Sequence, residues 1–242
     1  MKFENTEVFN FEGALRGMRN PMNSLDKSDS EWVYIDSCLV GKGCESKDTL
    51  FHFFKIGKND LNLAQRLIKA GSEHRKFLRQ IFVSVDITAP MYWWKEFDTY
   101  KVGTVANSCS TMHKLKDTPI TIDCFEMGDF GDLYLKKICV FDERYLLSSY
   151  WSAFIEVLEL LRLKYNETKD KRYWKELIRL LPESWLQKRT VTMNYEDVLN
   201  MYVQRRNHKL NEWSGKDDPT KPNFCSWVLE LPYAKQFFIE NK

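Results

Sequence analysis

The sequence predicts a mainly helical α+β domain, a small sheet packed with several long helices. Three stretches carry that reading. Residues 59–70 place Leu61, Ala64, Leu67 and Ile68 on one helical face. Residues 144–166 sustain the longest apolar period, through Leu146, Leu147, Tyr150, Phe154, Val157, Leu158 and Leu161. Residues 81–87 hold the β-prone Phe82, Val83 and Val85.

In chain order, a short helix over 11–18 should end at Arg19-Asn20-Pro21, because proline forces the residue before it out of the helical region. Trp32-Val33-Tyr34-Ile35 marks a strand within 31–39. Gly71 stops the 59–70 helix. Residues 73–87 pass from a turn into a strand, and Pro90 opens a helix-like segment over 91–100, since proline suits a first turn. A loop of small polar residues follows at 103–111, and 120–130 reads as a loop or short strand. The long helix comes next, then a helical 170–181 up to Pro182 and an extended 183–193. Residues 195–213 form a helix with Val198, Leu199, Tyr202 and Val203 inward. A polar loop over 214–222 leads to a final helical stretch, 224–239, broken near Pro232. No repeat, low-complexity tract or linker divides the chain, so 1–242 reads as a single α+β domain.

The chain is long enough to bury a substantial core, and its many aromatic residues, eight Trp and sixteen Phe among them, suit a heavily packed interior or an assembly surface. A net charge of +2 does not point to nucleic acid, and the clusters Lys136-Lys137 and Lys169–Arg172 read as solvated faces. The six cysteines, Cys38, Cys44, Cys109, Cys124, Cys139 and Cys225, form no CxxC pair or zinc spacing. No histidine has an HExxH-type partner, so no metal site is predicted. The N-terminus lacks an apolar signal core, and no apolar run approaches the ~18 residues that span a bilayer. A cytoplasmic protein with reduced thiols and no membrane partner is expected.

Polar groups concentrate between Gly71 and His113 on an apolar, aromatic scaffold, the usual build of a site for a small polar ligand. Ser108, Ser110 and Thr111 could cradle a phosphate or simply cap a turn. Cys109 is a nucleophile or a plain buried thiol. His74, His113 and His208 serve as acid–base groups or as structural donors. Lys95 and Asp98 suit a surface ion-pair ladder, whereas Trp94, Tyr100 and Lys101 could line a pocket for a planar ligand. Arg205 and Arg206 are the best anion-binding candidates, and Arg19 beside its turn is a further one.

Two stretches make the chain resemble the flavin-dependent (alternative) thymidylate synthases. In residues 67–88, LIKAGSEHRKFLRQIFVSVDIT looks like the family's helix, His-bearing turn and strand, and Asn107–His113 looks like the tail of its signature, Asn-Glu-x-Ser-x-Arg-Tyr. In residues 180–206, LLPESWLQKRTVTMNYEDVLNMYVQRR is similar to the family's Leu-Pro, Thr-x-Asn and following helix, with Arg205 eleven residues after Asn194. Together they cover roughly a third of the chain. Departures are as plain. Tyr100, Lys101 and Val102 stand where the family has Arg-His-Arg, which helps hold the flavin. Val105, Ser108 and Met112 replace its Ser, Glu and Arg, and Glu196 replaces a ligand-contacting Arg. Such a reversal is expected to oppose an anionic ligand.

The resemblance implies methyl transfer to C5 of dUMP with reduced flavin, in nucleotide biosynthesis. It assigns His74, Lys101, Asn107 and Asn194 to FAD, and Ser108, Ser110, Arg205 and Arg206 to the nucleotide. It also implies a folate one-carbon donor and a homotetramer; no catalytic residue is assigned. The alternatives are a non-catalytic homologue that binds a nucleotide or partner after losing the flavin site, and a scaffold that only assembles.

Overall fold

The structure, a computed structural model, describes residues 1–36, 50–127, 134–135 and 145–239. Cys38, Cys44, Cys139, Lys136, Lys137 and parts of the 31–39 and 120–130 readings lie outside them.

The elements run β1 (Lys2–Phe9), α1 (Phe11–Arg19), β2 (Glu31–Asp36), β3 (Leu50–Lys55), α2 (Lys58–Ala70), β4 (Phe82–Pro90), α3 (Met91–Phe97), β5 (Val105–Ser108), α4 (Thr111–Lys114), β6 (Tyr134–Leu135) and β7 (Tyr145–Leu146). They continue with α5 (Leu147–Thr168), α6 (Lys171–Leu180), β8 (Leu186–Asn194), α7 (Tyr195–Arg205), α8 (Asn211–Ser214), α9 (Phe224–Glu230) and α10 (Ala234–Phe238). The main sheet has the strand order β1-β4-β8-β5; β2 pairs with β3 and β6 with β7. This is the expected mixed architecture of a small sheet and several helices. The chain divides into two compact units: Met1–Glu4, Asp86–Lys101 and Ala106–Val191 form one, and Asn5–Val85, Val102–Val105 and Thr192–Lys242 the other. All four strands of the main sheet contribute residues to both.

Several sequence expectations need correction. Residues 2–9, to which the sequence assigns no element, form β1, and the expected loop at 103–111 contains β5. The helix expected over 195–213 stops at Arg205 and resumes only for Asn211–Ser214, and Val203 faces outward at 50% exposure. The segment opened by Pro90 ends at Phe97, and the long helix starts at Leu147 after a short strand. The Lys95–Asp98 ladder is absent: Lys95 pairs with Glu183 and Asp98 with Arg189.

In the first unit, Leu115, Ile120, Phe125, Ile155, Leu158 and Leu177 pack as one apolar cluster between α5, α6 and the preceding loops. Burial of side chains this size contributes on the order of 2 kcal/mol each. Trp93, Trp94 and Phe97 form a second nucleus of edge-on and stacked rings. Trp94 is fully buried, donates Nε1 to Gln187 O at 2.9 Å and is capped by the Arg189 guanidinium 4.2 Å from its ring. It therefore offers no face to a planar ligand, contrary to one sequence expectation.

In the second unit, α1 buries Phe11, Ala14, Leu15 and Met18, and α7 buries Tyr195, Val198, Leu199, Met201 and Tyr202. Tyr195 joins them through edge contacts to Phe11 and Phe237, with its hydroxyl donating to Pro232 O. Burial raises that phenol well above the ordinary tyrosine range. Beside this core, Asp60 on α2 is fully enclosed and accepts from Arg19 Nε at 2.6 Å, Ser28 Oγ at 2.7 Å and Ser30 Oγ. Burial pushes the Asp60 carboxyl up, but the hydrogen bonds from Ser30, Ser28 and Arg19 outweigh it and hold the carboxyl below its usual 3.8. Arg19, an anion-binding candidate in the sequence, is thus already neutralised and 5% exposed.

Asp60→Asn should lower unfolding free energy by about 3–5 kcal/mol, because it strands the buried Arg19 charge. The depressed carboxyl stabilises the fold above pH 3.8, and that contribution disappears as pH falls through its lower folded value. Denaturant titrations from pH 6 downward check both: the variant should lack this acid-linked loss, and an unchanged midpoint would refute the role.

Candidate functional site

Two cavities, one in each unit, contain sequence-predicted residues. In the second unit, the end of α1, the following turn, α2 and the 3-10 turn Lys76–Gln80 enclose about 740 Å³. His74 lines it, with Lys27, Arg66, Lys76, Glu73 and Arg19. Since Asp60 cancels Arg19, the wall's net charge comes from three exposed cations against Glu73. Phe77, Leu67 and Met18 supply apolar surface between them. A cavity of this size, with clustered cations and an apolar floor, suits a ligand that is both phosphorylated and flat.

Next to that 3-10 turn, the reversal at Glu196 proves to be something other than a repulsive charge. Glu196 is 5% exposed in the first turn of α7. It accepts from Arg75 Nε at 3.1 Å and from Arg79 Nε, and Arg75 also donates to Asn200 Oδ1 at 3.1 Å. Burial pushes the Glu196 carboxyl up, but the bonds from Arg79 and Arg75 hold it below its ordinary range. Its charge is consumed inside the unit, which corrects the expectation that it would face and oppose a ligand. Asn194 caps α7, its Oδ1 accepting from the backbone N–H of Glu196 and Asp197 at 3.0 Å each. That oxygen is spent on the helix, so only the Asn194 amide nitrogen remains for the cofactor role the resemblance implies. Gly103, at φ +81°, lies against Asn194 and the Asp197 carboxylate; a Cβ there would sit 2.2 Å from Asp197 Oδ2. Oδ2 is buried with no hydrogen-bond partner among the described residues, and burial raises this carboxyl above its usual range.

In the first unit, Ser110 caps α4 by accepting from His113 N and meets His113 Nδ1 at 2.7 Å. Cys109 N donates to Lys188 O at 2.8 Å, and Gln187 Nε2 reaches Cys109 O, so the segment after β5 is fixed against β8. Ser110, Thr111, Cys109, Lys2, Lys114 and Lys188 line a cavity of about 320 Å³ together with Trp185 and Leu186. Lys188 is shared with Asp86 at 3.1 Å and Glu4 at 3.5 Å. Two hydroxyls and lysine ammoniums beside an apolar wall can hold a small phosphorylated ring compound.

Of the other predicted residues, Lys101, Asn107 and Ser108 are exposed in the first unit. Arg205 ends α7 in the second and Arg206 follows it; Arg205 lies over Trp213 at 4.8 Å, and Arg206 is exposed. His208 accepts from Leu210 N through Nδ1, a structural role. Cys225 is buried and its thiol is pushed up to about 12, which leaves it unreactive near neutrality. Sequence reading missed Lys27, Arg66, Lys76, Arg75 and Arg79. For Arg75, Lys76 and Arg79 the available signal was the dense basic run from His74 to Arg79, within a stretch already singled out.

The chain matches no family model and no curated protein. Its structure, however, resembles thymidylate synthase X (ThyX) from Helicobacter pylori, solved with FAD and dUMP, at a TM-score of 0.64 and 15% identity over 100% of this chain and 99% of that one. A second structure of the flavin-dependent thymidylate synthase ThyX from the same organism, complexed with FAD and dUMP, gives 0.60 at 16% identity, covering 99% of each chain. The protein therefore has the fold of the flavin-dependent thymidylate synthases. No described helix is long and apolar enough to cross a membrane.

Glu196→Gln should cost about 2 kcal/mol of stability, less than a fully buried pair because Arg79 is half exposed. Gly103→Ala should cost at least about 1 kcal/mol through its positive φ and the contact with Asp197. Urea unfolding of both variants tests this; wild-type midpoints would contradict the cluster's role.

Proposed function

We propose that the protein binds a pyrimidine mononucleotide and FAD and methylates C5 of the nucleotide, in the manner of a flavin-dependent thymidylate synthase. The full-length fold likeness supports the reading, and the basic cavity around His74 is the observation that carries it. Lys27, Arg66, His74 and Lys76 would hold the cofactor's diphosphate, with Phe77 and Leu67 against its rings. The donor set fits, since three cations face one acid there. Ser110, Thr111 and Lys114 would hold the nucleotide phosphate, with Ser108 just before them in the same unit; Arg205 and Arg206, at and just after the end of α7 in the other unit, are a separate anion-binding proposal. Within the same unit as the His74 cavity, the amide nitrogen of Asn194 is a further proposed cofactor contact; Lys101 and Asn107 stay proposals from the resemblance alone.

When bound, the reduced flavin supplies the reducing equivalents for a one-carbon unit taken from a folate donor. The chain's own contribution is positioning and charge. Its lysines and arginines neutralise phosphate, its apolar walls exclude water, and its hydroxyls orient the anion.

A homo-oligomer, with a tetramer as the specific proposal, is supported by α5. Tyr150, Val157, Leu160 and Leu163 are each about half exposed along this helix, an apolar area that a copy of the chain would cover.

The second reading is a nucleotide-binding homologue without flavin chemistry. It is favoured by Tyr100-Lys101-Val102 in place of Arg-His-Arg and by the neutralised cluster at Glu196.

Calorimetric titration separates the two. FAD and dUMP should each bind; Lys76→Ala combined with Arg66→Ala should weaken FAD at least tenfold, and Lys114→Ala should weaken dUMP. Retention of dUMP without FAD establishes the second reading, and no heat from either ligand refutes both. Sedimentation velocity checks the assembly: a monomer at micromolar concentration contradicts the oligomer.

A further inference from the structure

A third cavity, outside both sites above, lies within the second unit. The end of β1, the start of α1, the β2–β3 ribbon and the turn before α10 enclose about 660 Å³, within the range of small-molecule sites. Its wall is dominated by rings. On one face of the ribbon, Trp32 meets His52 at 5.5 Å and Phe54 at 5.3 Å, and Phe9 and Tyr233 add further ring surface. Phe9 and Trp32 each remain 43% exposed, although rings of this size are normally covered. Such a wall takes a flat aromatic ligand by stacking.

Two charges at the cavity narrow the class of ligand. Glu12 and Arg16 stand one helical turn apart on α1, and both line the wall. Trp32 Nε1 donates to Glu12 Oε2 at 2.9 Å, which fixes the carboxylate beside the indole and leaves Oε1 as an acceptor. A carboxylate next to a stacking ring recognises two adjacent N–H donors on a base edge. Guanine presents that edge through N1–H and its 2-amino group. Adenine does not. The Arg16 guanidinium then matches a phosphate one turn away.

From this arrangement we propose that the cavity is a guanine mononucleotide site, separate from the flavin and pyrimidine sites proposed above. Glu12 reads the base edge, Trp32 and its ring neighbours stack the base, and Arg16 holds the phosphate.

The test is calorimetric titration of the full chain with GMP, IMP, AMP and guanosine. GMP should bind about tenfold more tightly than AMP, as expected for charge-assisted hydrogen bonds to one edge, with IMP between them. Glu12→Gln, which preserves shape and the bond from Trp32, should remove the preference for GMP over AMP. Arg16→Ala should reduce GMP to the affinity of guanosine. Neither variant should alter dUMP or FAD titrations, so failure of the flavin reading leaves this proposal standing. Equal affinity for GMP and AMP overturns it, as does a GMP preference that survives Glu12→Gln, or no binding of GMP.

Discussion

The enclosed carboxylate of Asp60 is the constraint on which the second unit's cavity depends. It accepts from Arg19 on α1 and from Ser28 and Ser30 in the turn before β2, while Asp29 in that turn caps the first N–H groups of α2. One buried acid thus fastens α1, the following turn and α2 to one another. Desolvating it is tolerable only because three donors meet it. By cancelling Arg19 it also determines which cations remain to face a ligand: Lys27, Arg66 and Lys76.

Glu196 repeats the device on the other side of the Lys76–Gln80 turn. Its two arginines come from that turn and the residues just before it, so the carboxylate links the approach to β4 with the helix that follows β8. Buried ion pairs of this kind specify an arrangement more than they add net stability. In sequence the position looks like a lost cation. In the fold it is an anchor whose charge is already satisfied, and the positive potential lies instead in the adjacent cavity around His74. A departure from a family pattern can therefore mark a charge satisfied inside the fold and not one set against a ligand.

Much of the fold was legible because burial imposes periodicity. In β4, Val83, Val85, Ile87 and Ala89 alternate inward, and in α2 Ala64 and Ile68 mark the buried face. Within the main sheet, the strands that escaped notice, β1 and β5, are its two edges; outside it, β3, β6 and β7 also went unread. KFENTEVF is mostly exposed and VANS wholly so, so neither needs the apolar alternation that would announce it. The end of α7 at Arg205 was equally hidden, since no glycine or proline marks it. Among site residues, His74 and Ser110 stood out because they fall in polar, motif-like stretches. Arg75 and Arg79 did not, because their roles depend on a carboxylate more than a hundred residues away. Lys27 and Arg66 read as ordinary surface charges until the fold gathers them into one wall.

The central claim is that the basic cavity around His74 receives the diphosphate of a flavin dinucleotide. A crystal structure of the protein soaked with FAD and dUMP tests it most directly. The account predicts diphosphate density within hydrogen-bonding distance of Lys76 and Arg66 beside His74. FAD bound elsewhere with this cavity vacant, or no FAD density at saturating concentration, would contradict it.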